Sequence, residues 1–217
     1  AEASNLKTTL LSNMSHELRT TLNSIIALSG VLKRRLGSQI PEEELSYLEI
    51  VERNGKHLLT LINDILDISR IEAGREEVEL TTFGLSALMG DILQMLEPLA
   101  RQKGIRLEWR APDADVRFVN DERKCRHILQ NIIGNAVKFT ETGSVRVAAA
   151  ARENAVQITV TDTGIGIAKE HLNGIFNEFQ QADGSTSRKY GGSGLGLAIA
   201  KKYVELLGGS IHVASTL

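Results

Sequence analysis

Residues 121–140 read Asp121-Glu-Arg-Lys-Cys-Arg-His-Ile-Leu-Gln-Asn-Ile-Ile-Gly-Asn-Ala-Val-Lys-Phe-Thr140. Their apolar positions recur at three- and four-residue spacing, which predicts a helix over Asp121–Phe139. Two strand-like runs follow, Ser144–Ala150 and Ala155–Thr161. Helix, strand, strand in that order predicts an α+β fold, an α/β sandwich with helices on one face of a mixed sheet. Further out, the same reading places helices at Leu85–Gln102 and Leu195–Leu207. It places strands at Ile105–Trp109 and Ser210–Ala214, and a short one near Val116–Val119. Trp109 is expected in the core, and Cys125 as a small buried or half-buried residue.

The N-terminal third has a different grammar. Leu6, Leu10, Met14, Leu18, Leu22, Ile25, Leu32 and Leu36 keep helical spacing until Gly37–Pro41 breaks it. A second run, Leu45, Leu48, Val51, Leu58, Ile62, Ile65 and Ile68, stops near Ala73-Gly74. Two long helices with a short loop form a hairpin, and a lone hairpin buries its apolar stripes poorly. Two hairpins paired as a four-helix bundle bury them, so a homodimer is expected. The expected domains are 1–74, the helical hairpin, and 80–217, the sandwich, with a hinge around Gly74–Glu79.

The net charge of −2 sets up no field for nucleic acid or an anionic membrane. No apolar run reaches the ~20 residues of a membrane span. One cysteine excludes an intramolecular disulfide and thiolate metal clusters, and fits a reducing, cytoplasmic setting. The chain starts inside a helical pattern and stops just after the strand-like Ser210–Ala214, so a piece of a longer protein is expected. Any membrane contact is then left to parts of the parent outside the chain.

Asn131 and Asn135 are four apart and share a helix face. They fit exposed or capping amides, or oxygen ligands for a hard cation such as Mg²⁺. Lys138 lies three residues on, placed to neutralise phosphate. Asp162-Thr-Gly-Ile-Gly-Ile167 follows a strand; its carboxylate suits an exocyclic amine such as that of adenine, and alone it also suits an ordinary turn. Gly191-Gly-Ser-Gly-Leu-Gly-Leu197 opens a helix, where backbone N–H groups favour phosphate. Residues 174–193 read as a long loop of the kind that serves as a lid. Among five histidines, His16 has an adjacent carboxylate, Glu17, and a hydroxyl one turn on, Thr20. An imidazole that is substantially neutral near pH 7 is nucleophilic.

Ser15-His-Glu-Leu-Arg-Thr20 resembles the phosphoacceptor box of sensor histidine kinases. Asn131–Thr140, Asp162–Ile167, Phe176-Asn-Glu-Phe179 and Gly192-Ser-Gly-Leu-Gly-Leu197 resemble the four boxes of their ATP-binding domain, and the pattern looks most like the hybrid type. The resemblance implies that His16 attacks the γ-phosphate of ATP, with Glu17 as hydrogen-bond partner and base. It implies that Asn135 ligates Mg²⁺, with Asn131 on metal or phosphates, that Lys138 faces phosphate, and that Asp162 reads adenine. Gly164, Gly166, Gly192, Gly194 and Gly196 would shape the loops, while Phe139, Ile167 and Leu195 belong to the nucleotide site. Phe176 and Phe179 would anchor the lid, and its Arg188 and Lys189 would reach the γ-phosphate. The phosphoryl group would pass to an aspartate of a response regulator receiver domain, and Thr20 would position water for the reverse, phosphatase reaction.

Three positions depart from the pattern. Thr21 stands where the family usually has proline and so keeps an N–H in the helix. Ser193 replaces the commoner threonine, and a last sheet strand expected from the family pattern is missing. Two other readings compete. ATPases of the gyrase, chaperone and mismatch-repair class share the nucleotide fold but use a carboxylate where this chain has Asn131, which cannot act as a general base. A non-catalytic dimeric scaffold would not need the boxes intact.

Overall fold

The computed structural model describes residues 2–112, 116–152, 155–180 and 193–217, with side chains from Met14 onward. The chain divides into two compact units between Glu76 and Glu77.

The first unit is the expected hairpin of α1 (Glu2–Leu36) and α2 (Glu42–Glu72). The turn between them closes with Gly37 N–H donating to Lys33 O and Ile40 N–H to Leu36 O, both at 3.0 Å. Glu42, Glu43 and Glu44 occupy the first turn of α2, where carboxylates oppose the positive end of the helix dipole. At its other end Gly74 N–H donates to Ile71 O and Arg75 N–H to Arg70 O, a Schellman stop. The inner face buries Leu22, Ile62, Leu66 and Ile68. A second apolar stripe stays exposed in the single chain: Met14, Leu18, Ile25, Leu28 and Leu32 on α1, and Tyr47, Val51, Leu58 and Ile65 on α2. With Thr21 included, the α1 stripe steps by four and three in alternation, the spacing of a coiled-coil seam.

The second unit contains β1 (Thr81–Gly84), α3 (Leu85–Lys103), β2 (Arg106–Arg110), β3 (Arg117–Asn120), α4 (Glu122–Phe139), β4 (Ser144–Ala151), β5 (Val156–Asp162), α5 (Lys169–Leu172) and α6 (Gly196–Leu206). The sheet order is β2-β4-β5, with β2 parallel to β4 and β4 antiparallel to β5, so the sheet is mixed as expected. Its register places Leu107 opposite Val145, and Trp109 opposite Val147, which pairs in turn with Val160. The residues alternating with these point away, while Val145 and Val147 meet Leu85, Leu88, Met89 and Ile92 of α3 and Ile133 and Val137 of α4 in one core. Each such fully buried side chain contributes about 1.5–3 kcal/mol by leaving water. Trp109 and Cys125 are partly buried against this core.

Two elements differ from expectation. β1 went unanticipated because Phe83 is its single large apolar residue; it pairs antiparallel with β3 and packs Phe83 on Phe118, ring centroids 4.4 Å apart. Ser210–Ala214, expected as a strand, is not one. A strand exists only where a neighbouring edge accepts its hydrogen bonds, and this segment pairs with none among the described residues.

Asp121 caps α4. Its carboxylate accepts from Lys124 N–H at 3.0 Å, Glu79 N–H at 3.0 Å and the Lys124 ammonium at 2.9 Å, and Lys124 Nζ also donates to Glu77 O at 2.7 Å. Burial pushes the Asp121 carboxyl up, but these donors together outweigh it and hold the group at about 2. Glu77–Glu79, read from sequence as part of a hinge, are therefore tied into the second unit.

Candidate active site

In the first unit His16 and Glu17 are both exposed on α1. They do not bond each other, because adjacent residues on a helix point about 100° apart. One turn on, Thr20 Oγ1 donates to His16 O at 3.0 Å, Thr21 Oγ1 to Glu17 O at 3.1 Å, and Ser24 Oγ to Thr20 O at 3.0 Å. With its proton committed to the backbone, the Thr20 hydroxyl offers lone pairs outward, the polarity that accepts a hydrogen from water. Arg19 Nη2 donates to Asn63 Oδ1 at 2.8 Å and joins the two helices beside His16.

In the second unit the boxes converge around the C-terminal half of α4. Asn131 Nδ2 donates to His127 O at 3.1 Å, which leaves its Oδ1 facing Gly196. A Cβ at position 196 would overlap that oxygen, so glycine lets α6 approach the amide face of α4. Gly194 has φ +70° and lies against the Phe179 backbone, where a side chain would be both strained and crowded. Leu195 is fully buried, and its N–H donates to Ser193 Oγ at 3.1 Å. Among the described residues no side chain caps the start of α6, a helix N-terminus of the kind that suits an anion.

The Asp162 loop hangs on the end of α4. Asp162 Oδ1 accepts from Gly164 N–H at 2.9 Å, and Ile165 N–H donates to Phe139 O at 3.3 Å. Gly164 sits so close that an added Cβ would lie 2.7 Å from Phe139 O. Asp162 is the last residue of β5 and is exposed, with its carboxylate open to solvent rather than deep in the fold. Ile167 N–H donates to Ser215 Oγ at 2.9 Å, and the Thr216 carbonyl packs against Gly166. Asn135 is half-buried one turn beyond Asn131. Lys138 Nζ lies 4.8 Å from the Phe139 ring centroid, and burial pushes its ammonium below the ordinary lysine range.

Phe176 carries Lys201 of α6 over its ring at 5.8 Å, and Glu178 pairs with Lys202 at 3.2 Å, so the Phe176–Phe179 box is joined to α6. Phe179 is exposed with φ +59°. Arg188, Lys189 and Gly192 lie outside the described residues. Sequence reasoning missed Ser215 and Lys201, which touch the boxes only through tertiary packing. Burial pushes the Cys125 thiol up to about 11, which removes it as a nucleophile.

No group of three His, Cys, Asp or Glu side chains among the described residues forms a metal cage. The donor set is instead amide oxygen beside open helix N–H groups, which fits a Mg²⁺ completed by phosphates and water.

The fold and these two sites define a histidine kinase core. Residues 6–74 match the model of the His Kinase A (phospho-acceptor) domain, and residues 120–217 match that of the histidine kinase-, DNA gyrase B-, and HSP90-like ATPase. The chain thus carries both domains of a histidine kinase core, and the curated relatives it matches are sensor histidine kinases. It is 39% identical to the sensor histidine kinase GacS of Pseudomonas protegens, covering 99% of this chain and 24% of that one. It is also 39% identical to the autoinducer 2 sensor kinase/phosphatase LuxQ of Vibrio cholerae, covering 99% and 25%. The crystal structure of full-length ShkA in complex with AMPPNP matches with a TM-score of 0.75 at 34% identity, covering 92% of this chain and 41% of that one. The chain thus spans about a quarter of the length of these two curated relatives. No helix among the described residues is long and apolar enough to cross a membrane.

Proposed function

We propose that this chain transfers the γ-phosphoryl group of ATP to His16 and passes it on to an aspartate of a response regulator receiver domain. An imidazole nitrogen forms the new P–N bond, the bond from phosphorus to the ADP oxygen breaks, and ADP leaves. The imidazole proton goes to solvent or, through water, to Glu17. Phosphoryl transfer depends on positioning and charge neutralisation more than on covalent assistance. Asn131 and Asn135 would hold Mg²⁺ on the phosphates, Lys138 and the α6 N-terminus would offset their charge, and Asp162 would accept from the adenine amine. In this reading Arg188 and Lys189 close on the γ-phosphate from the lid.

The single observation that carries this reading is Asn131 Oδ1 turned to the glycine-opened start of α6. It supports Asn131 as a metal ligand beside amides that would bind phosphate, and an amide at that position cannot activate water as a carboxylate would, which favours transfer over hydrolysis. The exposed seam of α1 and α2 supports a homodimer through a four-helix bundle, with the regulator docking on that bundle. Thr20, with its lone pairs outward, supports a phosphatase activity, a property that the name of LuxQ carries. The domains implied are the hairpin, 1–74, and the nucleotide domain, 80–217, extended at its start by the residues tied to Asp121.

The test is labelling with [γ-³²P]ATP and Mg²⁺. Acid-labile, base-stable label is expected, and it should be absent in His16→Ala. Label that survives this substitution would assign the phosphoryl group elsewhere.

A further inference from the structure

Helix α4 ends without the usual left-handed residue. Its C-cap, Thr140, is extended (φ −92°, ψ 122°), so its last carbonyls need other partners. Each has one. Ala136 O accepts from Thr140 N–H at 3.1 Å and Thr140 Oγ1 at 2.7 Å. Val137 O and Lys138 O accept from Lys103 Nζ at 2.9 and 2.6 Å, and Thr140 O accepts from the same ammonium at 2.8 Å. Phe139 O is the carbonyl that Lys103 leaves, and it takes Ile165 N–H of the Asp162 loop.

We propose that Lys103 is a positioning residue for nucleotide binding. It is the last residue of α3, and Gly104 turns the chain away behind it with φ +68°. Its three N–H donors meet three carbonyls that converge from the last turn of α4. A cation at a helix C-terminus is favourable in itself, and hydrogen bonds from charged donors are the stronger kind. The consequence lies in the sorting. With Val137, Lys138 and Thr140 fixed, Phe139 O is aimed at Ile165, and the loop carrying Asp162 and Gly164 is set against the helix carrying Asn131, Asn135 and Lys138. In this proposal Lys103 acts through the backbone of α4 and not by contact with the nucleotide.

This inference rests on the nucleotide site proposed above, and its test separates the two. Calorimetry of Mg·ADP binding is done on the full chain and on Lys103→Met, which keeps the length of the side chain and removes the donors. Binding about tenfold weaker is expected, the equivalent of 1.4 kcal/mol. Labelling should show the same rise in KM for ATP with kcat within about twofold, since His16 and the phosphate ligands are intact. Leu96→Ala, a core truncation on the same helix, should lower stability and leave KM unchanged. Hydrogen exchange at residues 162–167 should speed up in Lys103→Met and not in Leu96→Ala. Affinity unchanged in a folded Lys103→Met overturns the proposal while leaving the kinase reading intact. Absence of nucleotide binding by the unaltered chain overturns both. Should Lys103→Met fail to fold, Lys103→Arg decides: its planar fork cannot aim at three converging carbonyls, so it should bind at least about threefold more weakly, and unaltered affinity overturns the role.

Discussion

Asn131 and Gly196 form one contact across two helices, the amide oxygen of the first occupying the space that a Cβ of the second would need. Gly196→Ala should therefore push the start of α6 from α4. Weaker Mg·ADP binding by about tenfold is expected, ~1.4 kcal/mol, with little change in melting temperature. Calorimetry checks this; equal affinity would mean that the approach of α6 does not shape the site.

The exposed seam on the hairpin predicts a dimer whose stability depends on α1. Leu28 is 63% exposed in the single chain, and Leu28→Glu would bury a carboxylate in the proposed bundle. Multi-angle light scattering should show the unaltered chain at twice the monomer mass and Leu28→Glu as a monomer. Equal masses for both would place the association elsewhere.

Asp121 predicts acid sensitivity with a definite sign. Its folded carboxyl is held at about 2, below the ordinary 3.8, so its contribution is complete above the ordinary value. That contribution is lost as pH falls through the window from about 4 to about 2. Asp121→Asn should flatten the stability profile in that window. At neutral pH it should cost about 1.5–3 kcal/mol, because the cap of α4 and the Lys124 ammonium both lose a charged acceptor. Denaturant melts at stepped pH values check both halves.

Lys138 gives an alkaline limb. Burial sets its ammonium below the ordinary 10.5, so it loses its charge earlier than an exposed lysine as pH rises. Affinity for ATP should fall along that limb in the unaltered chain. Lys138→Met should bind weakly throughout and lose the limb; a limb that persists would belong to another group.

The helices of both units were legible because their apolar spacing is local and their ends are marked, by Gly37–Pro41, by Gly74 and by Asp121. The boxes were legible because amide pairs and glycine turns are short-range patterns. What escaped depended on partners far along the chain. β1 exists because β3 pairs with it, and Ser210–Ala214 shows the converse, strand-like composition without an edge. Lys103 could be read as a basic residue at the end of α3, but its acceptors lie 34 to 37 residues away on another helix. The exposure of Asp162 likewise follows from where β5 ends, one residue later than its pattern suggests.

Thr20, Thr21 and Ser24 bond back to the carbonyls of His16, Glu17 and Thr20. Each of those carbonyls divides its acceptance between a hydroxyl and the helical N–H, so the stretch after His16 is the compliant part of an otherwise stiff rod. Proline at position 21 would install a permanent kink; hydroxyls install a spring. A spring returns, and in the proposed reaction a helix that flexes and recovers would let one imidazole face first the phosphoryl donor and then the acceptor without refolding the hairpin that carries it.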